Sequence, residues 1–336
     1  MHRVGIIGSG AIAAAHVRGY RKSGAEIVAL CDVDPDRLAQ RCADWEVATG
    51  YVDAAQLLAD ETVTAVSICT PNASHHPLTL AAAAAGKHVL CEKPVSLDLA
   101  QGEAMIDVCA SAGVVFQVGH HLRSSAAGTL AKEMIERGDI GEPTYLRFRQ
   151  AHDWDGGGVR GVFGSREQSG GGTLLDNGCH LFDLARHFGG DVRDVFARIA
   201  TRKYQIEVED TAIASLGFAS GALGQIETAW TATGWQEGFW IFGTEGSIEF
   251  DDRVDRKSLL RRWRSASTMT WGVTEVDTHA LGGLDPHSRH VANFLGAIEG
   301  EREVICTGRD GLEAVRLVLA SYESADRGAT VAIAGR

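Results

Sequence analysis

The stretch that most restricts how this chain can fold lies at its N-terminus. An apolar run, Arg3-Val4-Gly5-Ile6-Ile7, leads into Gly8-Ser9-Gly10-Ala11-Ile12-Ala13 and then a helical stretch to about Ser23. In a GxGxxA turn the first glycine permits the sharp change of direction. The second lets the backbone approach a pyrophosphate, and the small Ala13 lets the helix pack on the strand with its N-terminus toward the phosphates. One such turn specifies little by itself. Here the next strand, Glu26 to Cys31, ends on Asp32, about twenty residues beyond the glycines, where a carboxylate accepts bonds from ribose hydroxyls. The same carboxylate repels a 2′-phosphate, so the expected nucleotide is NAD rather than NADP. Arg37 is the complication, since it could reach the ribose edge.

The alternation continues downstream. Short apolar strands at Ala65–Cys69, His88–Cys91 and Val114–Val118 are separated by helical stretches, the pattern of a parallel sheet covered on both faces. Ligands of such sheets bind beyond the carboxyl ends of the strands. Polar residues stand at those ends: Thr70, Asn72 and His75 after one strand, Glu92 and Lys93 after the next, and His120, His121 and Arg123 after the last. Lys93 reads either as a ligand contact or as a solvated charge before a turn. The histidines read equally as loop residues without a special task.

Beyond Arg123 the pattern changes to strands of alternating polarity broken by turn residues such as Ala219-Ser220-Gly221, an antiparallel meander. A glycine-rich loop at 152–169 carries Trp154, Asp155, Arg160 and Arg166, side chains suited to gripping a hydroxylated or carboxylated small molecule. It is followed by GGGTLLDNGCHLFDLARHFGG, read as a helix starting at Thr173. On it Asp176, His180, Asp183 and His187 share one narrow stripe. One turn apart, Asp176 and His180 can serve a single site, the carboxylate orienting an imidazole that moves a proton. The stripe is also compatible with the solvated face of an ordinary amphipathic helix, or with a metal-dependent hydrolase. Against the metal, the four residues span three turns without a further ligand cluster, so none is expected.

Composition narrows the classes further. A length of 336 residues suits two domains. A net charge of −12 without any Lys/Arg block argues against nucleic-acid binding. No apolar run is long enough to span a bilayer and no secretory signal is visible, so neither a membrane partner nor export is expected. The seven cysteines form no CxxC pair, which reads as a reduced, cytoplasmic protein.

Taken in order, GSGAIAAAH, CDVD, TPNASHH, CEKPVSLDL and GGGTLLDNGCHLFDLARHFGG resemble the glucose–fructose oxidoreductase and inositol dehydrogenase (Gfo/Idh/MocA) family across nearly the whole chain. The resemblance implies an α/β Rossmann domain at 1–122, then an α+β domain at 123–336 with an open, mostly antiparallel sheet for substrate binding and oligomerisation. A homodimer or homotetramer through that sheet is implied, as is a proline bond after Lys93 that is often cis. By matched motif Lys93, Asp176 and His180 correspond to the family's catalytic trio. Gly8, Gly10, Ala11, Ile12, Asp32, Arg37, Thr70, Asn72, His75, Glu92 and Lys93 are the expected cofactor positions. Lys93, His121, Arg123, Trp154, Arg160, Asp176 and His180 are the expected substrate contacts. The implied activity is hydride transfer between a secondary alcohol of a cyclic polyol, sugar or sugar derivative and NAD. Tightly held NAD acting as a transient oxidant for sugar elimination or glycoside cleavage is the alternative, and a non-catalytic NAD sensor is a further one. Arg123-Ser124-Ser125 departs from the family, which often has an aromatic residue after the arginine.

Overall fold

A computed structural model describes residues 2–154, 159, 161–251, 259–265, 271–277 and 283–333. The chain opens with β1 (Arg3–Ile7), α1 (Ala13–Lys22), β2 (Glu26–Cys31), α2 (Pro35–Asp44), β3 (Thr49–Tyr51) and α3 (Ala54–Ala59). It continues through β4 (Ala65–Ile68), α4 (His75–Ala84), β5 (His88–Cys91), α5 (Leu99–Ala112) and β6 (Phe116–Val118). The six strands form one parallel sheet in the order β3-β2-β1-β4-β5-β6. The order reverses between β1 and β4, and a doubly wound sheet binds its ligand at such a switch point. Val4, Ile6, Ala65, Val66, Ile68, Val89 and Leu90 are fully buried, as continuous apolar strands covered on both faces must be.

Helix ends follow local chemistry. Asp34, Asp53 and Asp98 cap α2, α3 and α5 by accepting backbone N–H bonds, and Gly113 closes α5 in the left-handed conformation. α1 differs: its first turn has neither a side-chain cap nor an acidic residue. The Ala14 and Ala15 N–H groups bond the Ala11 and Ile12 carbonyls, so this end of α1 is closed by backbone alone and no side chain stands over it.

Next come α6 (Ala126–Glu136), β7 (Pro143–Asp153) and three helical pieces, α7 (Arg166–Ser169), α8 (Thr173–Asp176) and α9 (Gly178–Gly189). The strands β8 (Val192–Ala200), β9 (Thr211–Phe218), β10 (Leu223–Ala229), β11 (Thr231–Gly243), β12 (Gly246–Asp251), β13 (Leu259–Ser265) and β14 (Trp271–Asp277) follow. The chain finishes with α10 (Pro286–Ile298), α11 (Gly308–Arg327) and β15 (Val331–Ala332). β7 to β15 make a nine-stranded sheet, β14-β13-β12-β11-β7-β10-β9-β8-β15, antiparallel except where β10 runs parallel to β7. Leu146 and Phe148 on β7, Ala212 and Ala214 on β9, and Ile226 on β10 point to one face, which α9 covers through Phe188 stacked on Phe148. The opposite face carries Tyr145, Arg147 and Arg149, and exposes Ile213, Leu223 and Phe242. Among the described residues no helix is long and apolar enough to cross a membrane.

The chain divides into two units, one of Met1–Ser124 with Leu284–Glu313 and one of Ser125–Gly283 with Ala314–Arg336. The simple division at 122/123 therefore misses that α10 returns to the first unit. The physical reason is close packing. A Cβ on Gly19 of α1 would lie 3.0 Å from Val291 of α10, and Gln117 donates to the His290 carbonyl at 2.9 Å.

Candidate active site

In the first unit the GxGxxA turn is closed on one side and open on the other. Gly8 has φ +88°, donates its N–H to the Cys31 carbonyl at 2.8 Å, and a Cβ there would lie 2.5 Å from the Cys69 carbonyl oxygen. A Cβ on Gly10 would meet nothing within 4 Å. That open side, with exposed Ala11, half-buried Ile12 and the uncapped α1 N-terminus, is where a pyrophosphate fits. Asp32 is buried and accepts from the Ser9 hydroxyl at 2.6 Å, the Ser9 N–H at 2.9 Å and the Asp34 N–H at 3.0 Å. Burial alone would raise its pKa. The Ser9 hydroxyl, the two amides and the Arg37 charge outweigh this and hold the carboxyl below its usual range, so it is ionised. Arg37 lies 3.4 Å from Asp32 and 3.0 Å from Asp34, so its guanidinium is engaged by the two carboxylates. At the end of β4 the Thr70 hydroxyl is buried with no hydrogen-bond partner, a donor that a ligand in the switch-point crevice can use. These residues fit a dinucleotide.

Other strand-end residues turn inward. The ring nitrogens of buried His75 lie 2.8 Å from the Pro94 carbonyl and 3.0 Å from the Thr70 carbonyl, tying the loops after β4 and β5 together. Asn72 begins the short 3-10 turn that joins β4 to α4. The Lys93–Pro94 bond is cis, and Lys93 itself is half-buried directly beyond β5. Buried Arg123 donates to the Ile305 carbonyl at 3.0 Å and pairs with Asp310 at 3.2 Å. That favours a structural task over the substrate contact expected from its position. His121 stacks on His287 with ring centroids 3.7 Å apart, and burial, followed by the His287 charge, keeps its pKa well below the usual imidazole value. It is therefore a neutral ring at physiological pH.

In the second unit the GGGTLLDNG stretch does not form one continuous helix. At Asn177 the ladder tightens, His180 N–H bonding the Asn177 carbonyl at 3.2 Å, so α8 ends on Asp176 and α9 begins at Gly178. Nor is the acidic and histidine stripe a solvated face: His180 is 4% and Asp183 1% exposed, while Asp176 and His187 are half-buried. Trp154 packs on Phe163 and edge-on against fully buried Trp230, whose indole N–H, like its own, is buried without a partner. Asp155 and Arg160 lie outside the described residues. Among the described residues no group of three or more His, Cys, Asp or Glu is arranged to hold a metal ion.

Three supporting residues escaped the sequence reading. Ser9 was seen only as a spacer between glycines. Glu209 clamps the start of α8: its carboxylate accepts from Gly172 N–H at 3.1 Å, Leu174 N–H at 2.9 Å and the Tyr322 hydroxyl at 2.9 Å, while its carbonyl accepts from Thr173 N–H at 3.0 Å. A Cβ on Gly172 would fall 1.9 Å from that carbonyl oxygen, so only glycine lets the clamp close. The Glu209-Asp210 pair ahead of an apolar strand was the available signal. The third, His16, lies on the apolar face of α1 with Ala13, Val17 and Tyr20, where a titratable group needs a buried partner.

Comparison with known proteins agrees with both halves of this arrangement. Residues 2–120 match the oxidoreductase family with an NAD-binding Rossmann fold, and residues 129–249 match the GFO/IDH/MocA C-terminal domain. A 1,5-anhydro-D-fructose reductase from Ensifer adhaerens is 31% identical over 98% of this chain and 97% of its own. A myo-inositol 2-dehydrogenase from Thermotoga maritima is 33% identical over 77% of each. A levoglucosan dehydrogenase solved in complex with NADH superposes with a TM-score of 0.92 at 26% identity, covering 100% of both chains. With its motifs in family order and relatives aligned along its whole length, this chain belongs to the GFO/IDH/MocA oxidoreductase family, and its first unit is an NAD-binding Rossmann domain.

Proposed function

We propose that the protein is a cytoplasmic NAD-dependent dehydrogenase of a secondary alcohol in a cyclic polyol, sugar or sugar derivative. The observation that carries this reading is the ionised, well-bonded Asp32 at the adenosine end of a turn that leaves room for a pyrophosphate. An anionic Asp32 whose cationic neighbour Arg37 is shared with Asp34 supports NAD over NADP. The substrate class rests on relatives that act on inositol, levoglucosan and 1,5-anhydrofructose. When bound, NAD supplies the hydride acceptor. His180 takes the hydroxyl proton as general base, and Asp176, one turn earlier, orients the imidazole. The Lys93 ammonium stabilises the alkoxide that develops on the same oxygen. Trp154 and Arg160 are the proposed contacts that select the substrate.

The test is reduced-nucleotide formation by purified protein with NAD or NADP, across inositols, aldoses, sugar acids and levoglucosan. At least one substrate should turn over faster with NAD, and His180→Ala should lower its kcat by about 10²–10⁴-fold. Silence across the panel in a protein that binds NADH would overturn the dehydrogenase reading in favour of transient oxidation during sugar cleavage.

The reading includes self-association. Ile213 and Leu223, 48% and 60% exposed, lie with Phe242 on the face of the nine-stranded sheet that α9 leaves uncovered. Between them Glu227 bridges Arg147 at 2.7 Å and Arg149 at 2.6 Å. An apolar patch set around a satisfied ionic centre suits burial against a second copy of the chain. Light scattering should give a dimer or tetramer, and Leu223→Asp should move the mass toward the monomer. A monomeric wild type would remove this part of the proposal.

A further inference from the structure

We infer that His16 is a positioning residue for Lys93, acting through Glu92. This rests on the reading of Lys93 as the group that stabilises the alkoxide. His16 faces inward from α1, 2% exposed, and both ring nitrogens are engaged. Nε2 lies 2.8 Å from Glu92 Oε1, and Nδ1 lies 3.0 Å from the Ser67 hydroxyl on β4, which in turn is 2.7 Å from the Tyr20 hydroxyl. Glu92 is the residue between β5 and Lys93 and is 5% exposed. Its backbone N–H is bonded to the Ile68 carbonyl at 3.0 Å, and its second carboxylate oxygen faces the Lys93 N–H at 3.2 Å. On the far side, a Cβ at Gly119 would come within 2.8 Å of Glu92 Oε1. The carboxylate is thus held between the imidazole and a bare stretch of backbone, with no room to turn.

The charges follow from this geometry. Burial of the His16 ring penalises its charge, but the Cys69 sulfur and the Glu92 carboxylate more than offset this and raise its pKa to about 10. Burial of Glu92 likewise opposes ionisation, but the His16 hydrogen bond and charge, then the Lys93 charge, hold it well below the usual carboxylate range. The two form a buried ion pair, in which removal of one partner leaves the other uncompensated. If His16 is lost, the strongest remaining cation beside Glu92 is Lys93. The ammonium is then recruited to balance the carboxylate instead of the alkoxide. His16 therefore keeps the Lys93 charge available to the substrate, although it lies two residues removed from it along the chain of contacts.

The experiment compares wild type, His16→Gln, Glu92→Gln, the double variant and Lys93→Met in the full-length chain, using the panel substrate that wild type turns over fastest. His16→Gln should lower kcat by about ten- to a hundredfold, with KM for NAD within about threefold, and the double variant should be faster than His16→Gln because the uncompensated carboxylate is gone. Thermal unfolding without nucleotide supplies a second readout. A raised folded-state pKa contributes stability in full below the unfolded value of 6.5, and that contribution fades as pH rises through about 10. The Tm gap between wild type and His16→Gln should therefore narrow from pH 6.5 to 10, with Cys69, Glu92, Tyr20, His287 and His290 as the titratable groups around the ring. A pH-independent gap, or a double variant no faster than His16→Gln, would overturn the inference. If Lys93→Met keeps wild-type rates, the underlying reading of Lys93 has failed instead.

Discussion

Lys93→Met lowers kcat by about 10²–10³-fold while leaving NADH affinity within a few-fold, as expected when one donor to a developing oxyanion is removed from a preorganised site. Methionine keeps the length and apolar stem of the side chain and deletes only the charge. Lys93 follows Glu92 directly at the carboxyl end of β5, with its main chain set by the cis bond to Pro94 and by the Glu92 carboxylate at its N–H. None of those restraints needs the ammonium, so the loop should keep its shape. The proposed NADH contacts at Gly8, Gly10, Thr70 and Asp32, by contrast, lie on other loops of the same unit. The measurements are steady-state kinetics and a fluorescence titration with NADH. A variant with normal kcat would show that alkoxide stabilisation comes from elsewhere.

The second large effect separates two glycines that look alike in the sequence. Gly8→Ala costs stability and nucleotide binding together. The backbone at φ +88° disfavours any side chain by about 1–2 kcal/mol. A Cβ 2.5 Å from the Cys69 carbonyl and 2.9 Å from Thr70 Cγ2 forces the β4 loop outward, at about 1–3 kcal/mol more. A combined loss of about 2–5 kcal/mol is a large share of a domain's usual 5–15 kcal/mol, so about as much of the fold as of the site is at stake. Gly10→Ala should behave differently, because its Cβ enters space that no protein atom occupies. Its Tm should match wild type, while NADH affinity falls because the new methyl stands where the pyrophosphate approaches the backbone. If Gly10→Ala bound NADH as wild type does, the pyrophosphate would have to lie elsewhere and the cradle would be misread.

Legibility in the sequence was uneven, for physical reasons. β1, α1 and β2 were read nearly to the residue because apolar strands, a Gly-x-Gly turn and a terminal Asp are all local signals. β3, only Thr49-Gly50-Tyr51, was missed because three residues carry no periodicity. β13 was missed because Arg261, Arg262 and Arg264 break the alternation expected of a strand, and its partner β14 was missed with it. The helix expected from Thr173 onward was split at Asn177, since helical periodicity continues unbroken through a single tightened turn. Whether its polar stripe was a solvated face or part of a site stayed open in the sequence, because four polar residues on one face specify which residues share a direction but not what lies across from them; in the structure His180 and Asp183 are buried. Likewise Arg123 was legible as a strand-end cation, yet its partner Asp310 lies far along the chain.

The sequence by itself determined that a nucleotide-binding parallel α/β unit comes first and that a mostly antiparallel sheet follows, and it marked Asp32 at the end of β2 as the proposed adenosine contact. Those outcomes depend on hydrophobic period, turn chemistry and spacing over a few residues to a few tens. Only the tertiary structure decided that α10 packs on α1, that Glu209 clamps the start of α8, and that His16 and Glu92, 76 residues apart, share one buried ion pair. A charge or hydrogen bond inside a protein is strong only where water is excluded, and which polar groups are left together in such a place is settled when the elements pack.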